Sequence, residues 1–355
     1  MSLEALRRKI NSVDKNIVDL LNKRADITSK IGSLKRKAGK SVYSPERERE
    51  VLRRAIAQNK GPLTSEAIEA VYREIMSCSL SLEKPLKVAY LGPEASFSHQ
   101  AALKRFGLQV EYLACNSISD VFSEVEKENA EYGVVPIENS VEGVISHTLD
   151  MFVDSNLKIC SQVVLDVSHN LLANCPRFKI KRVYSNPNVF GQCRIWLREN
   201  LPSAERIEVA STTRAAQIAS KEKGSACIAA LLAAKVYKLK ILDCDIQDSA
   251  HNITRFLVIG QAEVPKTSRD KTSLMFSIKD KVGALHEMLL PFKKYKINLT
   301  KIESRPSKKK AWDYYFFVDL EGHKDSPKVK KAILELENKC KFLKILGSYP
   351  IGDNE

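Results

Sequence analysis

At 355 residues the chain is too long for one ordinary core, and it predicts two or three domains that each bury their own apolar side chains. A composition of 44% hydrophobic and 28% charged residues is globular, and no apolar run approaches the ~18 to 20 residues that a bilayer-spanning helix needs, so a helical membrane protein is excluded. The net charge of +14 divides unevenly, with 18 Lys/Arg against 11 Asp/Glu over residues 1–84, 19 against 20 over 85–264 and 20 against 12 over 265–355, which suggests three domains.

The N-terminus turns charged by Glu4, before any leader core forms, so the cytoplasm is the expected compartment. The eight cysteines stand singly, without C-x-x-C pairs or zinc-like histidine spacing, and are expected to be reduced, mostly buried thiols; no metal or cofactor is expected. A basic balance raises nucleic acid as a partner, but no helix-turn-helix, zinc module or RNP-like aromatic string accompanies the lysines, and Lys308–Lys310 reads as a solvated loop. Small anions fit the cations better.

From Leu3 to about Lys37, apolar residues at Leu3, Leu6, Ile10, Val13, Ile17, Leu20, Ile27, Ile31 and Leu34 keep three- and four-residue spacing, with Gly32 the only interior glycine. At ~1.5 Å per residue this rod is roughly 50 Å long and cannot bury its stripe alone. Ser44-Pro45-Glu46 opens a second helix to about Asn59, Gly61-Pro62 breaks it, and a third runs from about Thr64 to Glu83. Such a set is expected to complete its core with a second copy of itself.

Along the first helix, eleven residues return Lys35 to within ~20° of Arg24 and ~16 Å further on, so the two long side chains converge on a small dianion. Arg7 lies ~25 Å from Arg24 and points away; an antiparallel partner chain would supply it instead. Arg47 and Glu48 open the second helix, and Ser79 and Glu83 share one face of the third. The string LEALRRKINSVD, followed by Arg24, Lys35 and PERERE, resembles the all-helical AroQ-type chorismate mutases.

That resemblance implies that Arg24, with Arg7 of the partner chain, holds the carboxylates of chorismate, that Lys35 and Glu83 face the ether oxygen, and that Glu48 receives the hydroxyl, with Ser44, Arg47 and Ser79 around them. Conversion of chorismate to prephenate needs no nucleophile, only a substrate held in its reactive fold and donors at the oxygen that gains charge. Glu83, where some relatives carry glutamine, donates only when protonated, so mutase activity is expected to decline as pH rises. Ser44 stands where some relatives carry aspartate.

Beyond Pro85 the period changes to that of an α/β fold. LKVAYLG, YGVVPIENS, KICSQVVLDVSHNLLA, RVYSNP and HNITRFLVIG read as strands, between helices at about 98–106, 117–128, 188–200 and 213–222. Four loops gather small polar residues at strand ends: GPEASFSHQAA, PIENSVEG, ASTTRAA and IQDSAHNITRF. Taken singly, Ser140 and Thr212 read as plain helix starts. Together and in this order the loops resemble prephenate dehydratase, whose Thr-Arg-Phe motif falls on Thr254, Arg255 and Phe256.

The resemblance implies a two-lobed, periplasmic-binding-like domain with prephenate in its cleft. Thr254 then sits at the reacting centre, Arg255 counters carboxylate charge, and Asn139, Ser140 and Asn252 polarise the threonine. Phe97, Ser98, Glu138, Ser211, Thr212 and Phe256 join the expected substrate contacts. Prephenate loses carbon dioxide and its ring hydroxyl to become phenylpyruvate, so a departing hydroxyl must be protonated.

After a polar linker, VPKTSRD, come elements in the order βαββαβ: strands at 272–279, 298–305, 313–320 and 342–348, helices at 283–296 and 326–339. KVGALHEMLLPF and the segment containing ESRP resemble the regulatory ACT domain, which implies L-phenylalanine binding at a domain dimer interface by Gly283, Ala284, Leu285, Glu303, Ser304, Arg305 and Pro306. Gly283 is expected to allow close backbone approach, and Glu303 and Arg305 to pair with the effector's charges or with each other.

The expected architecture is thus an all-α AroQ domain (1–84), an α/β dehydratase domain (85–264) and an α+β ferredoxin-like ACT domain (271–355), in a homodimer or larger assembly. The expected function is conversion of chorismate through prephenate to phenylpyruvate, with feedback inhibition by phenylalanine. A dehydratase preferring arogenate, or a non-catalytic ligand sensor, are the competing readings.

Overall fold

A computed structural model describes residues 2–38, 44–83, 86–249, 251–278, 281–307 and 314–351; the Lys308–Lys310 segment and Pro85 lie outside the described residues. The chain forms two compact units, Met1–Lys87 with Phe106–Glu111, and Val88–Arg105 with Tyr112–Glu355. No described helix is long and apolar enough to cross a membrane.

The first unit is helical: α1 (Leu3–Lys37), α2 (Pro45–Gln58) and α3 (Ser65–Glu83). Ser44 caps α2, its side chain accepting from the Arg47 N–H, and Pro45 takes the first helical position where no N–H is needed. The apolar stripe of α1 stays uncovered within the chain, from Ile31 at 44% exposed to Leu34 at 67%. The stripe that defines the helix therefore has no core of its own to enter.

In the second unit, the first lobe runs β1 (Lys87–Leu91), α4 (Phe97–Phe106), β2 (Glu111–Cys115), α5 (Ile118–Glu126), β3 (Tyr132–Asn139), β4 (Gly143–Val144), α6 (Ser146–Asp154) and β5 (Lys158–Asp166). The second lobe holds β6 (Asn170–Ala173), β7 (Arg182–Ser185), α7 (Pro187–Gln192), α8 (Arg194–Asn200), β8 (Glu205–Glu208), α9 (Thr212–Ala219), β9 (Ser225–Ala229), α10 (Leu231–Tyr237) and β10 (Lys240–Asp243). β11 (Ile253–Gly260) then returns to the first lobe, whose sheet order is β2-β1-β3-β11-β5; the second sheet is β10-β6-β9-β7-β8.

The apolar run expected as one strand, KICSQVVLDVSHNLLA, is two strands in different sheets, parted at Val167–His169 where the chain crosses between lobes. The single helix expected at 188–200 breaks at Cys193 into α7 and α8. Of the thiols, Cys115, Cys160, Cys193 and Cys227 are buried, Cys175 and Cys340 half-buried, and Cys78 and Cys244 exposed; none is in a disulfide. Burial pushes Cys160 and Cys193 up to about 12, so neither is a thiolate at neutral pH.

The C-terminal portion is β12 (Asp270–Ser277), α11 (Ala284–Lys294), β13 (Leu299–Pro306), β14 (Tyr314–Glu321), α12 (Pro327–Glu337) and β15 (Phe342–Pro350), with sheet order β13-β14-β12-β15. All its ladders are antiparallel, as a ferredoxin-like split unit requires. One face of this sheet packs on its helices through Leu274, Phe276, Val318 and Leu320. The other shares a core with the first lobe, where Met275, Phe317, Leu346 and Tyr349 meet Ile137, Leu149, Phe152 and Ile159. A Cβ on Gly347 would lie 2.3 Å from the Ile159 carbonyl oxygen, so glycine there permits the contact.

Candidate active sites

In the helical unit, Arg24 donates to Ser79 Oγ, which itself donates to the Ile75 carbonyl at 2.8 Å. Lys35 Nζ meets Glu83 Oε2 at 3.4 Å, and Ser79 and Glu83 are both buried. Four of the expected residues thus face one another across α1 and α3. Gly32 makes the approach possible: a Cβ there would stand 2.8 Å from Glu83 Cγ. Arg47 pairs with Glu50 at 2.5 Å and is exposed, Glu48 is half-buried on α2, and Arg7 is exposed on α1.

In the α/β unit, Thr254 pairs in register with Asn139 across β11 and β3, at the end of the sheet where the chain crosses to the second lobe. Asn139 Oδ1 accepts from the backbone N–H groups of Val141 and Glu142, both at 2.9 Å. That fixes its amide, so Nδ2 is the group that donates to Thr254 Oγ1 and to Asn252 Oδ1, both at 2.8 Å. Thr254 therefore receives a hydrogen bond, and its own O–H hydrogen is left to donate.

Asn252 Nδ2 donates to Gln192 Oε1 at 2.9 Å, and Gln192 Oε1 also faces His169 Nε2 at 2.6 Å. Gln192 Nε2 donates to Glu142 Oε1 at 3.2 Å, so His169 carries its proton on Nε2. Burial lowers the His169 pKa, partly offset by Gln192 and Glu142, and keeps the ring neutral. Phe97, from α4, meets that ring edge-on at 5.8 Å between centroids. Gln192 and His169 are functional candidates that sequence reasoning missed: no hydroxyl cluster or charge marks Gln192, and the lobe crossing that brings His169 in was hidden within an apolar run.

The remaining candidates divide. Ser140 stitches the strand ends, donating to the His251 carbonyl at 3.0 Å and accepting from the Ile253 N–H at 2.9 Å. It is therefore no helix start. Ser211 caps α9 by accepting from the Arg214 N–H at 3.1 Å, with Thr212 the first residue of that helix. Ser98 is buried in the first turn of α4, and Phe256 is buried at 1% exposed. Arg255 and Glu138 are not joined to Thr254; they pair with each other at 3.1 Å on the opposite side of the sheet.

In the C-terminal portion, Gly283 precedes α11 with φ of +78°, and among the described residues a Cβ there would meet nothing within 4 Å. Its left-handed backbone by itself calls for glycine. Ala284 is buried at the start of α11, with Leu285 next to it. Glu303, Ser304, Arg305 and Pro306 end β13, and Arg305 pairs with Asp150 of α6 at 3.3 Å, not with Glu303.

Two cations paired across helices, a hydrogen-bonded threonine at a lobe crossing and a ferredoxin-like tail are the features of a multidomain protein with a separate polar site in each of its first two domains. Family profiles match in the same order: chorismate mutase type II over residues 6–84, prephenate dehydratase over 88–264 and the ACT domain over 272–338. A bifunctional chorismate mutase/prephenate dehydratase of Aquifex aeolicus is 50% identical over 353 residues, covering 98% of each chain. One of Stutzerimonas stutzeri is 44% identical, covering 98% of this chain and 97% of its own. A prephenate dehydratase of Arthrobacter aurescens, solved in complex with L-Phe, superposes with a TM-score of 0.71 at 30% identity, over 76% of this chain and 92% of its own. The chain belongs to the bifunctional chorismate mutase/prephenate dehydratase family.

Proposed function

We propose that the chain performs both reactions of its family at two separate sites, with domains at 1–84, 85–264 and 271–355, and is inhibited by L-phenylalanine through its ACT domain. The observation that carries the dehydratase reading is the Thr254 hydroxyl, held by Asn139 Nδ2 at 2.8 Å with its hydrogen left to give. As prephenate's C–carboxylate bond breaks, its electron pair enters the ring and expels the hydroxyl as water. That departure takes one proton, supplied through Thr254 and restored from solvent. Asn252, Gln192 and His169 hold Asn139 in line.

At the mutase site, Arg24 and the partner chain's copy of the Arg7 position hold the two carboxylates, while Lys35, held by Glu83 at 3.4 Å, stabilises charge developing on the ether oxygen. The uncovered α1 stripe supports a homodimer, because a second copy would both bury it and supply the missing arginine. The test is to give purified protein chorismate, without cofactor, and follow prephenate and phenylpyruvate by chromatography. Both should form, and phenylalanine should slow only the second. Prephenate alone would overturn the dehydratase assignment; neither product would overturn both.

A further inference from the structure

Strand alternation makes β3 and β11 two-faced. Asn139 and Thr254 share one face; Glu138 and Arg255, their chain neighbours and also paired in register, share the other, which meets the ACT sheet. There Arg255 Nη1 donates to Asp319 Oδ2 at 2.8 Å and Arg255 Nη2 to Glu138 Oε2 at 3.1 Å, while Lys301 Nζ reaches the same Glu138 oxygen at 2.7 Å. The Arg255, Asp319 and Lys301 side chains are only 12, 10 and 11% exposed. Glu138 is 40% exposed, so the two cations and Asp319 compensate one another largely out of bulk water, with Glu138 at the open edge of the cluster.

The ACT side of this cluster is braced. Ser273 Oγ donates to Asp319 Oδ1 at 2.6 Å and lies 2.8 Å from the Tyr349 hydroxyl, so β12, β14 and β15 together fix the acid. Burial pushes the Glu138 carboxyl up, but Lys301 and Arg255 outweigh it and hold it below the usual range. A cleft of about 520 Å³, walled by Arg255, Lys301, Ile253 and Thr300, opens beside the cluster. Lys301 stands two residues before Glu303 on β13, whose end carries the ESRP residues. Arg305 at that end reaches Asp150 on α6, the helix that follows the Asn139–Glu142 turn and β4.

We propose that the Arg255–Asp319 and Glu138–Lys301 pairs are the link through which effector binding on the ACT sheet is felt at Thr254, and that Arg255 is a positioning residue, not a ligand for the substrate carboxylate. This rests on the effector and dehydratase readings given above. An effector shifts an equilibrium only through contacts that differ between states. Any displacement of β13 or β14 against the first lobe remakes these pairs, and each pair is anchored one residue from Asn139 or Thr254.

The test uses the full chain and its Lys301→Met, Asp319→Asn and Lys301→Arg variants. Dehydratase rates are read against L-phenylalanine, phenylalanine affinity by calorimetry, and mutase rate as the control for folding. In Lys301→Met and Asp319→Asn the half-inhibitory concentration should rise at least tenfold while phenylalanine affinity and the uninhibited rate stay within threefold; Lys301→Arg should keep the wild-type response. Should Asp319→Asn fail to fold, Lys301→Met decides alone. Unchanged inhibition, or a loss of affinity in step with inhibition, overturns the link. A wild-type chain that phenylalanine does not inhibit, whether or not it binds, overturns the effector reading and the link with it, whereas a wild type that is inhibited and variants that respond alike overturn the link alone.

Discussion

Gly32→Ala is a one-methyl perturbation of the mutase site. The added carbon would stand 2.8 Å from Glu83 Cγ, 2.9 Å from its Cβ and 3.1 Å from its Cα, the part of the side chain nearest the backbone and least able to swing aside. Alanine gains about 1 kcal/mol over glycine in a helix interior, and overpacking costs about 1 to 3 kcal/mol, so the melting temperature should move little. Geometry is less forgiving. Either α3 retreats or Glu83 turns, and both carry its carboxyl away from the 3.4 Å contact with Lys35. A displacement of about 1 Å costs on the order of a hundredfold in a positioned reaction. Mutase kcat/KM, followed by loss of chorismate, should fall roughly 10- to 100-fold, or about 1.4 to 2.7 kcal/mol of transition-state stabilisation. Dehydratase activity on supplied prephenate should stay within twofold. A mutase rate within twofold of wild type would refute the reasoning.

Thr254→Val keeps the shape of the side chain but removes the proton to be donated; phenylpyruvate formation should fall at least ~100-fold with mutase rate unchanged, and equal loss of both activities would contradict two separate sites. If each mutase site takes an arginine from both chains, Arg7→Ala and Arg24→Ala are each inactive as mutases, yet co-expressed they should recover about a quarter of the activity, because half the dimers are mixed and each mixed dimer has one intact site. No recovery would place both arginines in one chain. His169 and His99 have pKa values lowered chiefly by burial, so below the unfolded value near 6.5 the native state binds fewer protons than the unfolded one. Stability should be complete above about pH 7 and fall as pH drops through 6.5, by at most ~1.4 kcal/mol per pH unit for each histidine. Thermal melts at pH 7.5 and 5.5 should show this, with a shallower fall in His169→Gln; a protein that gains stability on acidification would rule it out.

The helical unit was legible because its information is local. A nine-residue apolar stripe, a Ser-Pro cap and a Gly-Pro break each act within a few residues, and α1 runs from Leu3 to Lys37 as the stripe requires. The α/β unit was legible in kind but not in connection. KICSQVVLDVSHNLLA carries no glycine or proline at Val167–His169, and the polar Asp166, Ser168 and Asn170 mark a turn there without showing that it leads from one sheet to the other, yet that step delivers His169. The break at Cys193, by contrast, carries a local mark in Gly191, in the last turn of α7.

Arg255 shows what an alternating pattern conveys and what it omits. With Thr254 on one face of its strand, the two-residue period already places Arg255 on the reverse face, because neighbours cannot share one. The pattern is silent on what covers that face. Asp319 lies 64 residues away and Lys301 lies 46 away, in a segment that folds as its own sheet, and only its packing against β3 and β11 gives Arg255 two carboxylate partners and Glu138 a second cation. One motif can therefore divide between two faces of a sheet: Thr254 meets Asn139, Phe256 is buried, and Arg255 faces the ACT sheet.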